Sequence, residues 1–155
     1  MKFYLKLILV FILATLVHQV GLTQDLSEPD EVAIKSTVEM YFDGWLTGDT
    51  TKLGKAMHIT CQLKNVKDDK CKVYDRKTYL GFFNPREKLQ DAGGKILSID
   101  ITNNIAAVKC QLISPKKVFI DYFNMMKFKD GNWYIVDKVS TNRPRRDTDT
   151  VPIRS

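Results

Sequence analysis

Val118-Phe119-Ile120-Asp121-Tyr122-Phe123-Asn124-Met125-Met126-Lys127-Phe128-Lys129-Asp130-Gly131-Asn132-Trp133-Tyr134-Ile135-Val136-Asp137-Lys138-Val139 is the stretch that decides the fold. β-Branched and aromatic residues dominate both arms, and Asp130-Gly131 supplies the positive-φ positions of a tight turn, so an antiparallel hairpin is predicted. Alternation along the first arm puts Phe119, Asp121, Phe123 and Met125 on one face and Ile120, Tyr122, Asn124 and Met126 on the other. Both faces are largely apolar, which predicts a strand covered on both sides, and the polar groups set among them point to a lined pocket.

Upstream, Lys95 to Thr102 and Ile105 to Ser114 read as strands that lead into the arms Val118–Lys129 and Asn132–Thr141. Short turns at Asn103-Asn104, Ser114-Pro115-Lys116 and Asp130-Gly131 make this run antiparallel. An earlier hairpin is predicted from Ile59–Val66 and Cys71–Asp75 around Lys67-Asp68-Asp69-Lys70. Before it, Ser27-Glu28-Pro29-Asp30 has the form of a capping box, which starts a helix near Pro29. Ile34, Val38, Tyr41, Phe42 and Trp45 recur on one face of that helix as an aromatic stripe for the sheet. Gly48-Asp49 ends it and caps a shorter helix from Thr50 to about Met57. Asp75 caps a third helix to about Phe83, which Asn84-Pro85 stops, and residues 86–94 form a loop.

The two ends carry different signals. Lys2 and Lys6, the apolar run Leu7–Val17 and the small, polar stretch Val20-Gly21-Leu22-Thr23-Gln24 have the layout of a secretory signal peptide, with an uncleaved signal anchor as the alternative. Residues 1–23 are therefore expected to be removed, leaving a secreted or periplasmic protein with no stable membrane anchor. Residues 24–142 then form one domain, and residues 143–155, poor in apolar side chains, are expected to be a disordered tail. The formal charge of +6 loses two units with Lys2 and Lys6 and two more with the tail, where four arginines outweigh two aspartates. The folded core is left near +2, which gives no electrostatic reason to bind nucleic acid. Cys61, Cys71 and Cys110 allow at most one internal bridge, for which Cys61 with Cys71 is the natural pair, and the favoured reading is three small buried hydrophobes. His58 with these cysteines reproduces no zinc spacing, so neither metal nor cofactor is expected.

Tyr41-Phe42-Asp43-Gly44-Trp45 with Gly48-Asp49, His58 at the first strand, Ser98-Ile99-Asp100-Ile101 with Ala106-Ala107, and Asp121-Tyr122, Lys127, Asp130-Gly131, Trp133, Ile135 and Lys138-Val139 share their order and spacing with a known group. On them the chain, from about Asp30 to Val139, resembles the nuclear transport factor 2-like superfamily, and within it the branch described as putative lumazine-binding proteins. Ile59, where the branch often has proline, and the insert at residues 86–94 depart from its pattern. The resemblance implies a cone-shaped α+β (cystatin-like) fold with N-terminal helices packed on a curved antiparallel sheet. It also implies a cavity at the wide end and a homodimer made through the outer sheet face.

Members of the superfamily include isomerases, dehydratases, cyclases and proteins without chemistry, so the fold does not decide function. Isomerase-like members place a carboxylate base on the first hairpin and a protonated acid on the penultimate strand. The matching places here are Leu63-Lys64-Asn65 and Asn124, and neither offers a carboxylate. Asp121 is expected on the outer, dimer-forming face as a hydrogen-bonded structural residue. The expected ligand-binding residues are Tyr41, Trp45, His58, Tyr122, Asn124 and Lys138, with aromatic rings to stack on a flat ligand and polar groups that want partners on a buried face. The leading reading is a nonenzymatic protein holding a small planar ligand, pterin-like or lumazine-like by resemblance. An enzyme using His58, Tyr122 and Asp121 is the alternative, and needs those side chains to converge in one cavity. A third reading is a structural module whose cavity is filled by Tyr41, Trp45 and Tyr122.

Overall fold

The computed structural model describes residues 28–151. The expected signal peptide and Ser27 lie outside the described residues. Helix α1 (Glu28–Thr47) is followed by α2 (Thr50–Ala56), then by strands β1 (Met57–Lys67) and β2 (Lys70–Asp75). Helix α3 (Arg76–Leu80) and a non-regular segment lead to β3 (Gly93–Thr102), β4 (Ile105–Ile113), β5 (Lys117–Lys127) and β6 (Trp133–Pro144). The third helix ends three residues short of Phe83, because Gly81 closes it through bonds from its N–H to the Lys77 and Tyr79 carbonyls.

The predicted turn residues are used in full at Asp68-Asp69 and in part at Asp130-Gly131, where Gly131 alone takes positive φ and residues 128–132 connect the strands. Asp68 and Asp69 both take positive φ, 53° and 57°, as a two-residue hairpin turn between β1 and β2 requires. Gly131 (φ 80°) sits in the β5–β6 turn, where Asp130 Oδ1 accepts from the Asn132 N–H at 3.0 Å. Asp49 and Asp75 cap α2 and α3 through their side chains.

The six strands form one sheet in the order β2-β1-β6-β5-β4-β3. Each successive pair from β3 to β6 is antiparallel, as the turns required, but β1 joins β6 in parallel, so the sheet is mixed. The connection between β1 and β6 runs through the whole intervening chain, and no local turn signal reports on it.

Helix α1 lies across one face of the sheet and buries Ile34, Val38, Tyr41, Phe42 and Leu46 completely. Tyr41 meets Phe123 edge-on with ring centres 5.0 Å apart. Gly94 on β3 is required there, since a Cβ would stand 2.4 Å from the Phe42 ring. The N-terminus of α1 is fastened by Asp30, whose carboxylate accepts from the Trp133 indole at 3.0 Å and the Lys127 ammonium at 2.6 Å.

Several expectations are corrected. The outer face of the sheet is open in the single chain, with Tyr122 51% and Val139 46% exposed, so β5 is covered on one side only. Cys61 is buried, whereas Cys71 is exposed and pairs in register with Val66, five positions from Cys61, so all three thiols are free. The tail boundary at residue 143 falls inside β6. Beyond it Arg143 holds Asp149 with two bonds of 2.6 and 2.7 Å, and Arg145 holds Asp91 with bonds of 2.6 and 3.0 Å. These ion pairs order residues 143–149 despite their lack of apolar side chains. Residues 152–155 lie outside the described part.

Candidate functional site

On the face covered by the helices, β5 and β6 bring two opposite charges into the core. Asp121 pairs in register with Ser140, and Phe123 with Lys138, so the Lys138 stem lies diagonal to Asp121. The ammonium stands 2.8 Å from Asp121 Oδ2, and the Ser140 hydroxyl donates to Oδ1 at 2.5 Å. Asp121 is 0% and Lys138 3% exposed. The Oδ2 contact is an ion pair with Lys138, and among the described residues no second donor reaches that oxygen.

Two tyrosines complete the cluster. Tyr41 from α1 and Tyr79 from α3 share a hydrogen bond between their hydroxyls at 2.5 Å, and the Lys138 ammonium lies 5.3 Å from the centre of each ring. This is cation–π distance, and desolvation strengthens the attraction. Burial pulls the Lys138 pKa down, but the Asp121 carboxylate and the Tyr79 hydroxyl outweigh it and hold the pKa above the usual lysine value. Burial raises both tyrosines, helped for Tyr41 by the charge of Asp121. Burial also pushes the Cys61 thiol up to about 12, with Asp137 adding to it, and raises Cys110 further. The cluster is thus a fixed charge pair flanked by neutral phenols and thiols.

The expected site residues divide into three places. Tyr41 and Lys138 lie together in this interior cluster. Trp45 is half-buried near the C-terminal end of α1, edge-on to Phe119 with centres 5.4 Å apart. His58 stacks on Phe128 at 4.4 Å beside the β5–β6 turn, and its Nδ1 bonds the Thr60 hydroxyl at 2.8 Å. Tyr122 and Asn124 are exposed on the outer face. There Lys109 covers the Tyr122 ring at 5.4 Å, and Asn124 lines an open groove of about 410 Å³ with Asp100, Ala107 and Asp137. The sheet separates Tyr122 from Asp121, so the catalytic set His58, Tyr122 and Asp121 does not converge. Tyr122 also cannot help fill the interior.

Inside and outside are therefore exchanged relative to the expectation for β5: Asp121 faces in, Tyr122 and Asn124 face out. Alternation in β5 is unbroken, so Asp121 shares the inner face with Phe123 and Met125, while a bulge in β6 brings Lys138 to the same face. Met125 pairs with Ile135 but Asn124 pairs with Asp137, so Val136 is an extra residue and the alternation changes phase. Trp133, Ile135 and then Lys138 point inward. Tyr79 stands in the predicted third helix and Ser140 in the predicted last strand, and neither carried a site signal in the sequence. Among the described residues no cluster of three or more His, Cys, Asp or Glu side chains could hold a metal.

Helices packed on one face of a curved, unclosed, mixed sheet, with a polar cluster between the layers, define an α+β cone of the nuclear transport factor 2-like class. The family model described as Putative lumazine-binding matches residues 29–140, and the chain belongs to that family. A nuclear transport factor 2-like protein of unknown function from Shewanella baltica OS155 superposes with a TM-score of 0.69 at 23% identity, covering 76% of this chain and 96% of that one. Another, from Silicibacter pomeroyi DSS-3, gives 0.68 at 19% identity, covering 76% and 98%. A ketosteroid isomerase-like protein from Erwinia carotovora atroseptica SCRI1043 gives 0.56 at 10% identity, covering 72% and 94%. At these identities the likeness is one of fold. No curated protein matches the chain.

Proposed function

We propose that this is an exported, nonenzymatic binding protein that holds a small planar ligand against the Asp121, Lys138, Tyr41 and Tyr79 cluster. The observation that carries the reading is the Asp121 carboxylate, fully buried, whose Oδ2 has the Lys138 ammonium at 2.8 Å as its partner among the described residues and can accept a further bond. A carboxylate oxygen has more than one acceptor site, so a ligand N–H can bond there without displacing the lysine. The cluster offers an acceptor oxygen, an ammonium, phenol hydroxyls and ring faces. That set complements a flat heterocycle whose edge alternates N–H donors and C=O acceptors, and the lumazine of the family description has that chemistry. Binding is favoured over catalysis because Lys138 stays an ammonium beside Asp121 and the phenols and thiols are pushed away from neutral titration. Export rests on the signal-peptide layout. A homodimer through the outer face is supported by Ile105, Tyr122, Met126 and Val139, each between 43% and 51% exposed there.

Lumazine titrated against the protein, followed by calorimetry and native mass spectrometry, tests the reading. Saturable binding at one ligand per chain is expected, weakened at least about tenfold by Asp121→Asn in a protein that keeps its circular dichroism. Absence of saturation at millimolar lumazine, or an Asp121→Asn variant that binds as well as the parent, would overturn it.

A further inference from the structure

The interior cluster is sealed, since Tyr41, Tyr79, Asp121 and Lys138 are each no more than 4% exposed. Covering it at one end is the segment between α3 and β3. Phe83 packs edge-on against Tyr79 with centres 5.1 Å apart, and Phe82 does so at 6.3 Å while remaining 57% exposed. Farther along, the segment caps α1. The Arg86 N–H donates to the Thr47 carbonyl at 2.8 Å, the Arg86 guanidinium to the Trp45 carbonyl at 2.6 Å, and the Leu89 N–H to the Leu46 carbonyl at 3.2 Å. These are helix-end carbonyls with no partner inside α1. An ion pair fastens it to the C-terminal residues at Asp91, where Arg145 grips both carboxylate oxygens and the backbone carbonyl.

Arg145 is itself held in place from two sides. Its N–H donates to the Lys116 carbonyl at 3.0 Å, and its guanidinium donates to the Asp149 carbonyl at 3.1 and 3.3 Å. Asp149 is clamped by Arg143 and by the Arg146 N–H, which hold its carboxyl far below the usual carboxylate range. The C-terminal residues thus form a clasp whose outward product is one oriented guanidinium aimed at Asp91. We propose that residues 81–92 are a strap over the interior, that the strap is the part that opens to admit a ligand, and that the clasp formed by Arg143, Arg145 and Asp149 is its latch. Segments with few buried apolar contacts and no regular hydrogen bonding are the ones that open below the global unfolding free energy. Opening itself is independent of what the interior holds; its role in ligand admission rests on the binding reading above.

Cys61 and Cys110 are built-in reporters, buried on the cluster side, whereas Cys71 is exposed. In protein carrying Cys71→Ser, the rate at which an aromatic disulfide reagent labels the two buried thiols measures opening. Asp91→Ala and Arg145→Ala are each expected to raise that rate at least about fivefold without urea, while the urea midpoint hardly moves. Lys35→Ala, which breaks the exposed Glu31 pair on α1, is expected to leave the rate unchanged. Equal labelling in all variants would overturn the latch. So would labelling whose urea dependence has the full slope of global unfolding, because the thiols would then be reached only by unfolding. Lumazine association rates, measured on the same variants, separate the two proposals. Faster labelling with no lumazine binding keeps the strap and removes the ligand.

Discussion

Replacing Asp121 with Asn tests whether the interior charge pair is as dry as it stands in the structure. The substitution keeps the shape and a contact for the Ser140 hydroxyl but leaves the Lys138 ammonium, 3% exposed, without a countercharge. Breaking a buried pair by removing one partner costs about 3–5 kcal/mol, against a total stability of about 5–15 kcal/mol for a domain of this kind. The pH dependence gives a second, independent signature. In the parent protein the Lys138 pKa is raised in the folded state, so its contribution is fully present below the unfolded lysine pKa and is lost only as pH rises through the folded value. Stability governed by this group is therefore flat from about pH 7 to pH 9.5, with the unfolded lysine pKa near 10.4. In the variant, burial, the largest influence on this group, is opposed by the Tyr79 hydroxyl and no longer by a carboxylate, and is expected to lower the folded pKa below the unfolded one. The unfolded chain then binds more protons, and stability rises with pH across the same window. Urea unfolding at the two pH values measures both effects. Adding Lys138→Met to Asp121→Asn is expected to recover most of the loss, since it removes the uncompensated charge. A single variant within about 0.5 kcal/mol of the parent, with no pH slope, would show that water reaches the pair and would refute the sealed interior.

Two further substitutions probe how the helices sit on the sheet. Gly94→Ala places a methyl 2.4 Å from the Phe42 ring, and the overpacking is expected to cost about 1–3 kcal/mol in urea unfolding; a neutral result would mean that α1 can shift away from β3. Trp45→Ala removes a half-buried indole lying edge-on to Phe119, and about 1.5–3 kcal/mol is expected, below the range for a fully buried tryptophan. A gain in stability would place Trp45 in a site strained for a ligand.

The parts of the fold that could be read from the sequence are those with local causes. Asp68-Asp69 and Gly131 fix their turns by backbone conformation, Asp130 by its bond to the Asn132 N–H, Asp49 and Asp75 fix helix starts by hydrogen bonds within three residues, and the stripe from Ile34 to Trp45 fixes the buried side of α1. The parallel pairing of β1 with β6 was beyond such signals, because it depends on how distant segments meet. The site was half legible for a related reason. Tyr41 and Lys138 could be named, but the face of Asp121 could not be assigned from β5 alone, since both faces of that strand carry large apolar side chains.

What brings Lys138 to the face that Asp121 shares with Phe123 and Met125 is one extra residue, Val136, in β6. Had β6 alternated without interruption, Asp137 would have followed Ile135 inward and Lys138 would have pointed to solvent. The bulge instead puts the lysine inside, and a buried ammonium is tolerable only beside a carboxylate, so Asp121 and Lys138 have to be inside together. The same reasoning explains the tail. Arg143 and Arg145 fell in the expected disordered tail because their partners, Asp149 and Asp91, are recognisable only once the chain has turned back on itself. In both places the informative unit is a pair of opposite charges, and neither member identifies its role without the other.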